Sequence, residues 1–223
     1  MRFLLAISFI LLCSWTKGQN SDALIGFNAS GIISPALYEA TSKNSSPLTL
    51  EMIVKKPLGI EGVLEYSFGY EFSNGRYNDE ISNYKHNGYF AKAFISTGDL
   101  YNTLFSVGIG STLGYQAHNF DVEIGGDRFK PFTQNISGNA FIYGLFGKMS
   151  LNYKLGQNTY CSSSLLFGRM MFSKFEDEEK ILRVAGAGKG INTRGAKAAT
   201  TFKLQIDLLF DFGKRRLKSK AAN

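Results

Sequence analysis

Apolar and polar residues alternate with a period of two along most of this chain, the spacing of strands whose two faces meet different surroundings. Eight stretches carry the pattern. Residues 23–33 set Ile25, Phe27, Ala29, Gly31 and Ile33 against Asn28 and Ser30. Residues 48–55 set Leu48, Leu50, Met52 and Val54 against Thr49, Glu51 and Lys55. In residues 60–72, Leu64, Tyr66, Phe68, Tyr70 and Phe72 oppose Glu61, Glu65, Ser67 and Glu71. Residues 89–97 are less regular, because the face that holds Lys92 also holds Phe90 and Phe94. Residues 105–115 and 141–153 alternate cleanly, with Gly, Ser and Thr opposite large apolar side chains. Residues 159–172 are ambiguous around three consecutive serines, and residues 200–212 run Phe202, Leu204, Ile206, Leu208, Phe210 and Phe212 against Lys203, Gln205, Asp207 and Asp211.

The connections alternate too. Residues 34–47, 73–88, 116–137 and 173–200 are long and polar, whereas 56–59, 98–102 and 154–158 are short and carry Gly, Pro or Asn turn chemistry. No stretch reads as an amphipathic helix, and there is no sequence repeat or domain boundary. These features predict one all-β unit, an eight-stranded antiparallel up-and-down barrel. Residues 1–18 stand apart: Arg2, an apolar run from Phe3 to Trp15, and small residues at Thr16 and Gly18 are the layout of a secretory signal peptide. The expected organisation is therefore a signal peptide over 1–18, a barrel over 19–213 and a basic tail over 214–223.

This division reinterprets the charge. The chain has 25 basic and 18 acidic residues, a net +7. Arg2 and Lys17 belong to the signal, and Lys214, Arg215, Arg216, Lys218 and Lys220 to the tail, which leaves 18 of each sign between residues 19 and 213. The basicity is thus not a nucleic-acid footprint. Cys161 is the only cysteine after the signal, so no intramolecular disulfide forms there.

Alternation does not say which face meets water. A soluble lipocalin-like barrel buries its apolar face, and a membrane barrel turns that face to lipid. Segments of 10–13 residues suit a tilted crossing of a ~25–30 Å apolar slab. Long connections on one rim and short ones on the other point the same way, as do aromatic residues at strand ends: Tyr70, Phe72, Tyr89, Tyr115, Tyr153 and Phe212. The expected location is the cell outer membrane. Closure of eight strands leaves a lumen about filled by side chains. Glu51, Lys55, Glu61, Glu65, Glu71, Lys92, Lys148, Arg169, Lys203, Asp207 and Asp211 are then expected to compensate one another as a plug, with little or no conductance.

With its signal peptide, eight alternating strands, long outer loops and Phe-ended last strand, the chain resembles the small outer-membrane barrels of the OmpX and OmpA-transmembrane-domain class. Its Tyr-rich strands are similar to those of small Bacteroidota barrels, and LFSVGIGSTLGY and FIYGLFGKMSLNYKL resemble an outer-membrane component of that group's conjugation machinery. The resemblance implies outer-membrane lipid and lipopolysaccharide as surroundings, and barrel-assembly machinery as a partner that reads the aromatic end at Phe210 and Phe212. It implies no cofactor. An envelope protein partner, held by the loops or the tail, fits the same reading.

Candidate chemistry is sparse. His86 and His118 fall beside the fourth and fifth strands, near Ser111, Thr112, Asp121 and Glu123 in sequence, and define an alternative site for a lipid A acyl hydrolase or transferase. Two distant histidines have no local metal-ligand spacing. Gly186-Ala187-Gly188-Lys189-Gly190 lacks the Ser or Thr and the following helix of a phosphate loop. The leading expectation is a non-enzymatic barrel acting through its loops or tail; the alternatives are the lipid-modifying enzyme and a small-solute channel.

Overall fold

The computed structural model describes residues 23–33, 47–59, 61–75, 81–126, 129–172, 183–185, 187–192 and 198–212. The proposed signal peptide, the basic tail and the acidic stretch at 176–179 lie outside the described residues.

Among the described residues ten strands form one antiparallel sheet: β1 (Leu24–Asn28), β2 (Leu48–Pro57), β3 (Gly62–Gly75), β4 (Ile81–Thr97), β5 (Phe105–Gly126), β6 (Phe129–Lys154), β7 (Thr159–Phe172), β8 (Arg183–Val184), β9 (Gly188–Asn192) and β10 (Ala198–Asp211). Sequential neighbours pair from β1 to β7, β7 pairs with β10, and β10 pairs back onto β1. Eight strands therefore close an up-and-down barrel, and β8 and β9 are a small addition on the edge of β10.

Burial shows which way the strands face. Ile109 is 75 % exposed and Leu145 is 70 % exposed, whereas Glu71 and Asp207 are 0 % exposed. Large apolar side chains thus stand on the outer face of the barrel, and the buried charges lie inside it. All six expected aromatic residues at strand ends fall on the outward face. Tyr70, Tyr89 and Tyr115 join Phe141 in one register row across β3 to β6. Phe72 stands one row further out, and Tyr153 and Phe212 lie toward the opposite rim. From Phe141 to Tyr153 the strand rises about 40 Å, roughly 30 Å along the axis at a tilt of ~40°.

Three expectations change. The first strand does not run to residue 33: it ends at Asn28, and residues 29–33 form a helical turn. Asn28 Oδ1 accepts hydrogen bonds from Ser30 Oγ (2.7 Å) and Gly31 N (2.9 Å), so a side chain takes the place of the ladder. Beyond that point β9 pairs with Ala199 to Phe202, and Ser30 Oγ accepts from Ile206 N at 3.1 Å.

Next, much of the expected long connections is strand. β4 begins at Ile81, β5 runs to Gly126 and β6 starts at Phe129, so these strands project well past the aromatic row. Finally, the expected fourth outer loop contains β8 and β9, and it reaches into the mouth. Ala185 N donates to Gln116 Oε1 at 3.2 Å, and the Ala185 methyl occupies the space that a Cβ on Gly88 would need.

Candidate functional site

The lumen has two unlike walls. β1, β2, β3 and β10 turn Asn28, Glu51, Lys55, Glu65, Glu71 and Asp207 inward. From β4, β6 and β7 come Phe90, Phe94, Ile142, Phe146, Leu166 and Met170, one buried apolar cluster joined by Ala185 and Ala187. The irregular fourth segment in the sequence was the sign of this second wall, since Phe90 and Phe94 share the inward period with Lys92.

Lysines bridge the walls. Lys92 Nζ lies 2.8 Å from Glu51 Oε1 and 4.8 Å from the centre of the Phe90 ring. Lys148 Nζ lies 2.5 Å from Glu65 Oε1 and 5.2 Å from the Phe94 ring centre. Each ammonium thus meets a carboxylate on one side and an aromatic face on the other, two attractions that strengthen as water is excluded. Lys203 Nζ approaches Glu51 Oε2 at 3.8 Å, and Lys55 Nζ approaches Glu65 Oε2 at 3.3 Å. Ser67 Oγ and Asn28 Nδ2 complete the shell of Glu51 at 2.7 and 3.1 Å, and Ser162 Oγ receives Lys55 at 3.2 Å. Gln205 Nε2 donates to Asp207 Oδ1 at 2.7 Å. Charge of both signs is interleaved, as a dry interior requires.

The structure places eight of the eleven expected lumen charges in this network or beside it: Glu51, Lys55, Glu65, Glu71, Lys92, Lys148, Lys203 and Asp207. Glu61 is exposed in the turn before β3, where its carbonyl accepts from Gly98 N at 2.9 Å. Arg169 is exposed on the outward face, because the inward set of β7 is Ser162, Ser164, Leu166 and Met170. Asp211 keeps the inward period but stands half-exposed at the strand end.

His86 and His118 do come together, directly opposite in the β4–β5 register. Ser73 faces His86 from β3 in the same row. Glu71 Oε1 lies 3.7 Å from His86 Nε2, and its other oxygen accepts from Thr49 Oγ1 at 3.2 Å. Ser73, Glu71 and His86 are buried, and the expected neighbours Ser111 and Thr112 lie elsewhere along β5. No cluster of three or more metal-ligating His, Cys, Asp or Glu occurs among the described residues.

The short-turn rim is closed by another apolar set. Leu24, Ile53, Tyr160 and Leu209 pack together, with Leu100 and Tyr101 of the β4–β5 turn against them. Asp99 Oδ1 accepts from Tyr101 N and Asn102 N at 2.8 and 2.9 Å and holds that turn. A recess of about 370 Å³ beneath it reaches Lys55.

At the other rim, β4, β5 and β6 stand out as a blade. β7 pairs with β6 only from Ile142 toward the short-turn rim, so among the described residues nothing pairs with that edge of β6 further out. Residues 132–147 hold no charged side chain. The chain matches no protein-family model and no curated protein.

Proposed function

We propose that this is a small outer-membrane barrel of the OmpX and OmpA-transmembrane-domain class, sealed through its lumen, which holds an envelope or extracellular protein on its projecting blade. The inverted burial and the ~30 Å apolar belt support insertion in a bilayer, with the short turns in the periplasm. The lysine–carboxylate network and the inserted Ala185 and Ala187 support a closed lumen. One observation carries the partner role: among the described residues nothing pairs with the outer edge of β6 from Phe132 to Phe141, and that stretch holds no charged side chain. Soluble proteins guard such edges with lysine, proline or bulges. Here Lys130, Pro131 and a register shift stand only at the outer end of β6, and the stretch from Phe132 to Phe141 is left as a template for an added strand.

The test is co-purification from membranes, wild type against Ser137→Lys, with folding followed by heat-modifiable mobility. Loss of a partner at unchanged insertion supports strand addition. A partner that survives Ser137→Lys but leaves on truncation of 214–223 moves the function to the tail. A second reading, acyl hydrolysis of lipid A by the row of Ser73, His86 and His118 with Glu71, requires acyl chains to reach a row that is buried on the lumen side. Acyl release by the wild type and none by Ser73→Ala and His118→Ala would establish it over the binding role.

A further inference from the structure

Asparagine is depleted in strands, since its amide competes with the backbone for hydrogen bonds. Beyond the aromatic row, β3 to β6 nevertheless carry Asn74, Asn83, Asn87, Asn119, Asn135 and Asn139, all exposed. Five follow the outward period. Asn83 joins them at the irregularity between Ser82 and Lys85, with φ of 50°. The inward positions of the same stretches hold Tyr84, His86, Gln116, His118 and Phe120, and no asparagine.

The register stacks them in rows. Outside the row of Tyr70, Tyr89, Tyr115 and Phe141 come Phe72, Asn87, Ala117 and Asn139, then Asn74, Lys85, Asn119 and Ser137, then Ser82, Asp121 and Asn135. Hydrogen bonds hold several in place. Tyr70 Oη donates to Asn87 Oδ1 at 2.9 Å, and Asn135 Nδ2 donates to Asn119 Oδ1 at 2.9 Å and to Asp121 Oδ1 at 2.6 Å. A face selected only for water would favour Lys, Glu and Thr; here Lys85, Glu123 and Thr133 are present but outnumbered by the six asparagines.

A neutral amide offers a donor and an acceptor together, which matches adjacent hydroxyls of a sugar. Aromatic rings along one border add flat apolar faces with a polar edge. We propose that this face binds the sugar headgroup of a glycolipid in the surrounding leaflet, with its acyl chains on the apolar belt. Continuity selects the membrane lipid over a free glycan: amide rows begin on the same strands and face where apolar rows such as Phe68, Leu113 and Tyr143 stop. The inference rests on the reading that this belt meets lipid.

The mature protein is reconstituted in phosphatidylcholine nanodiscs doped with an uncharged digalactosyl diacylglycerol, and glycolipid retained per barrel is counted by native mass spectrometry. Retention above that of a sugar-free lipid with the same chains is expected, falling about tenfold in Asn87→Ala/Asn119→Ala/Asn139→Ala and insensitive to salt. Equal retention by the variant, a preference that follows lipid charge, or full competition by free disaccharide would overturn the proposal. Failure of the wild type to insert would overturn it together with the membrane reading; insertion without sugar preference would overturn it alone.

Discussion

Replacing Glu65 with leucine removes the carboxylate that two buried ammonium groups share. Lys148 Nζ is 2.5 Å from one of its oxygens and Lys55 Nζ is 3.3 Å from the other, and the three side chains are between 2 and 8 % exposed. Asp207 also acts on both lysines, so Glu65→Leu strands about one charge and not two. Breaking a buried pair from one side costs about 3–5 kcal/mol, because the remaining ion has neither water nor partner. At a urea dependence of ~2 kcal/mol per molar, the unfolding midpoint drops by roughly 2 M. Tyrosine fluorescence and heat-modifiable mobility of the reconstituted barrel report it. Glu65→Leu/Lys148→Met is expected to recover most of the loss, since well-packed apolar replacements of an ion pair are often neutral. The double-mutant cycle isolates the pair. A loss below about 1 kcal/mol with no coupling would refute the reasoning, since it would mean solvated lysines in a water-filled lumen.

Such a packed lumen is expected to give no steady current in planar bilayers, and ohmic steps in the wild type would support the channel alternative. Gly69→Val places a Cβ inside the buried Phe90 ring, and the overpacking is expected to cost about 1–3 kcal/mol in the same unfolding assay, with no loss expected at exposed Asn74→Ala. On the blade, hydrogen bonds from Asn135 and Asn83 hold the Asp121 carboxyl below its ordinary value of 3.8. A depressed carboxylate contributes above the ordinary value and loses that contribution as pH falls through the lower folded one. Asn135→Ala is therefore expected to raise the Asp121 midpoint in a carboxyl-resolved NMR titration; an unmoved midpoint would discount the bond.

The barrel was legible in the sequence because its two faces differ so strongly: Leu64, Tyr66 and Phe68 against Glu65 and Ser67 mark the strand and sort its two faces. The blade was not legible, and the reason is physical. Past Tyr115 one face turns to Ala117, Asn119, Asp121 and Glu123 while the other holds Gln116, His118 and Phe120, so hydrophobicity no longer alternates although the backbone still does. Asn135 and Ser137 read as loop by composition, yet they pair with Asp121 and Asn119. The helical turn at 29–33 failed for the converse reason. Ala29, Gly31 and Ile33 keep the period, but the Asn28 side chain caps the chain out of the ladder, a local bond that periodicity does not register. Arg169 shows a third limit, since neighbouring serines hid which half of β7 faces inward. In each case the pattern fails where a side chain, and not a layer, decides the conformation. The asparagine rows lie in that blind region, on strands that composition alone would discard as loops.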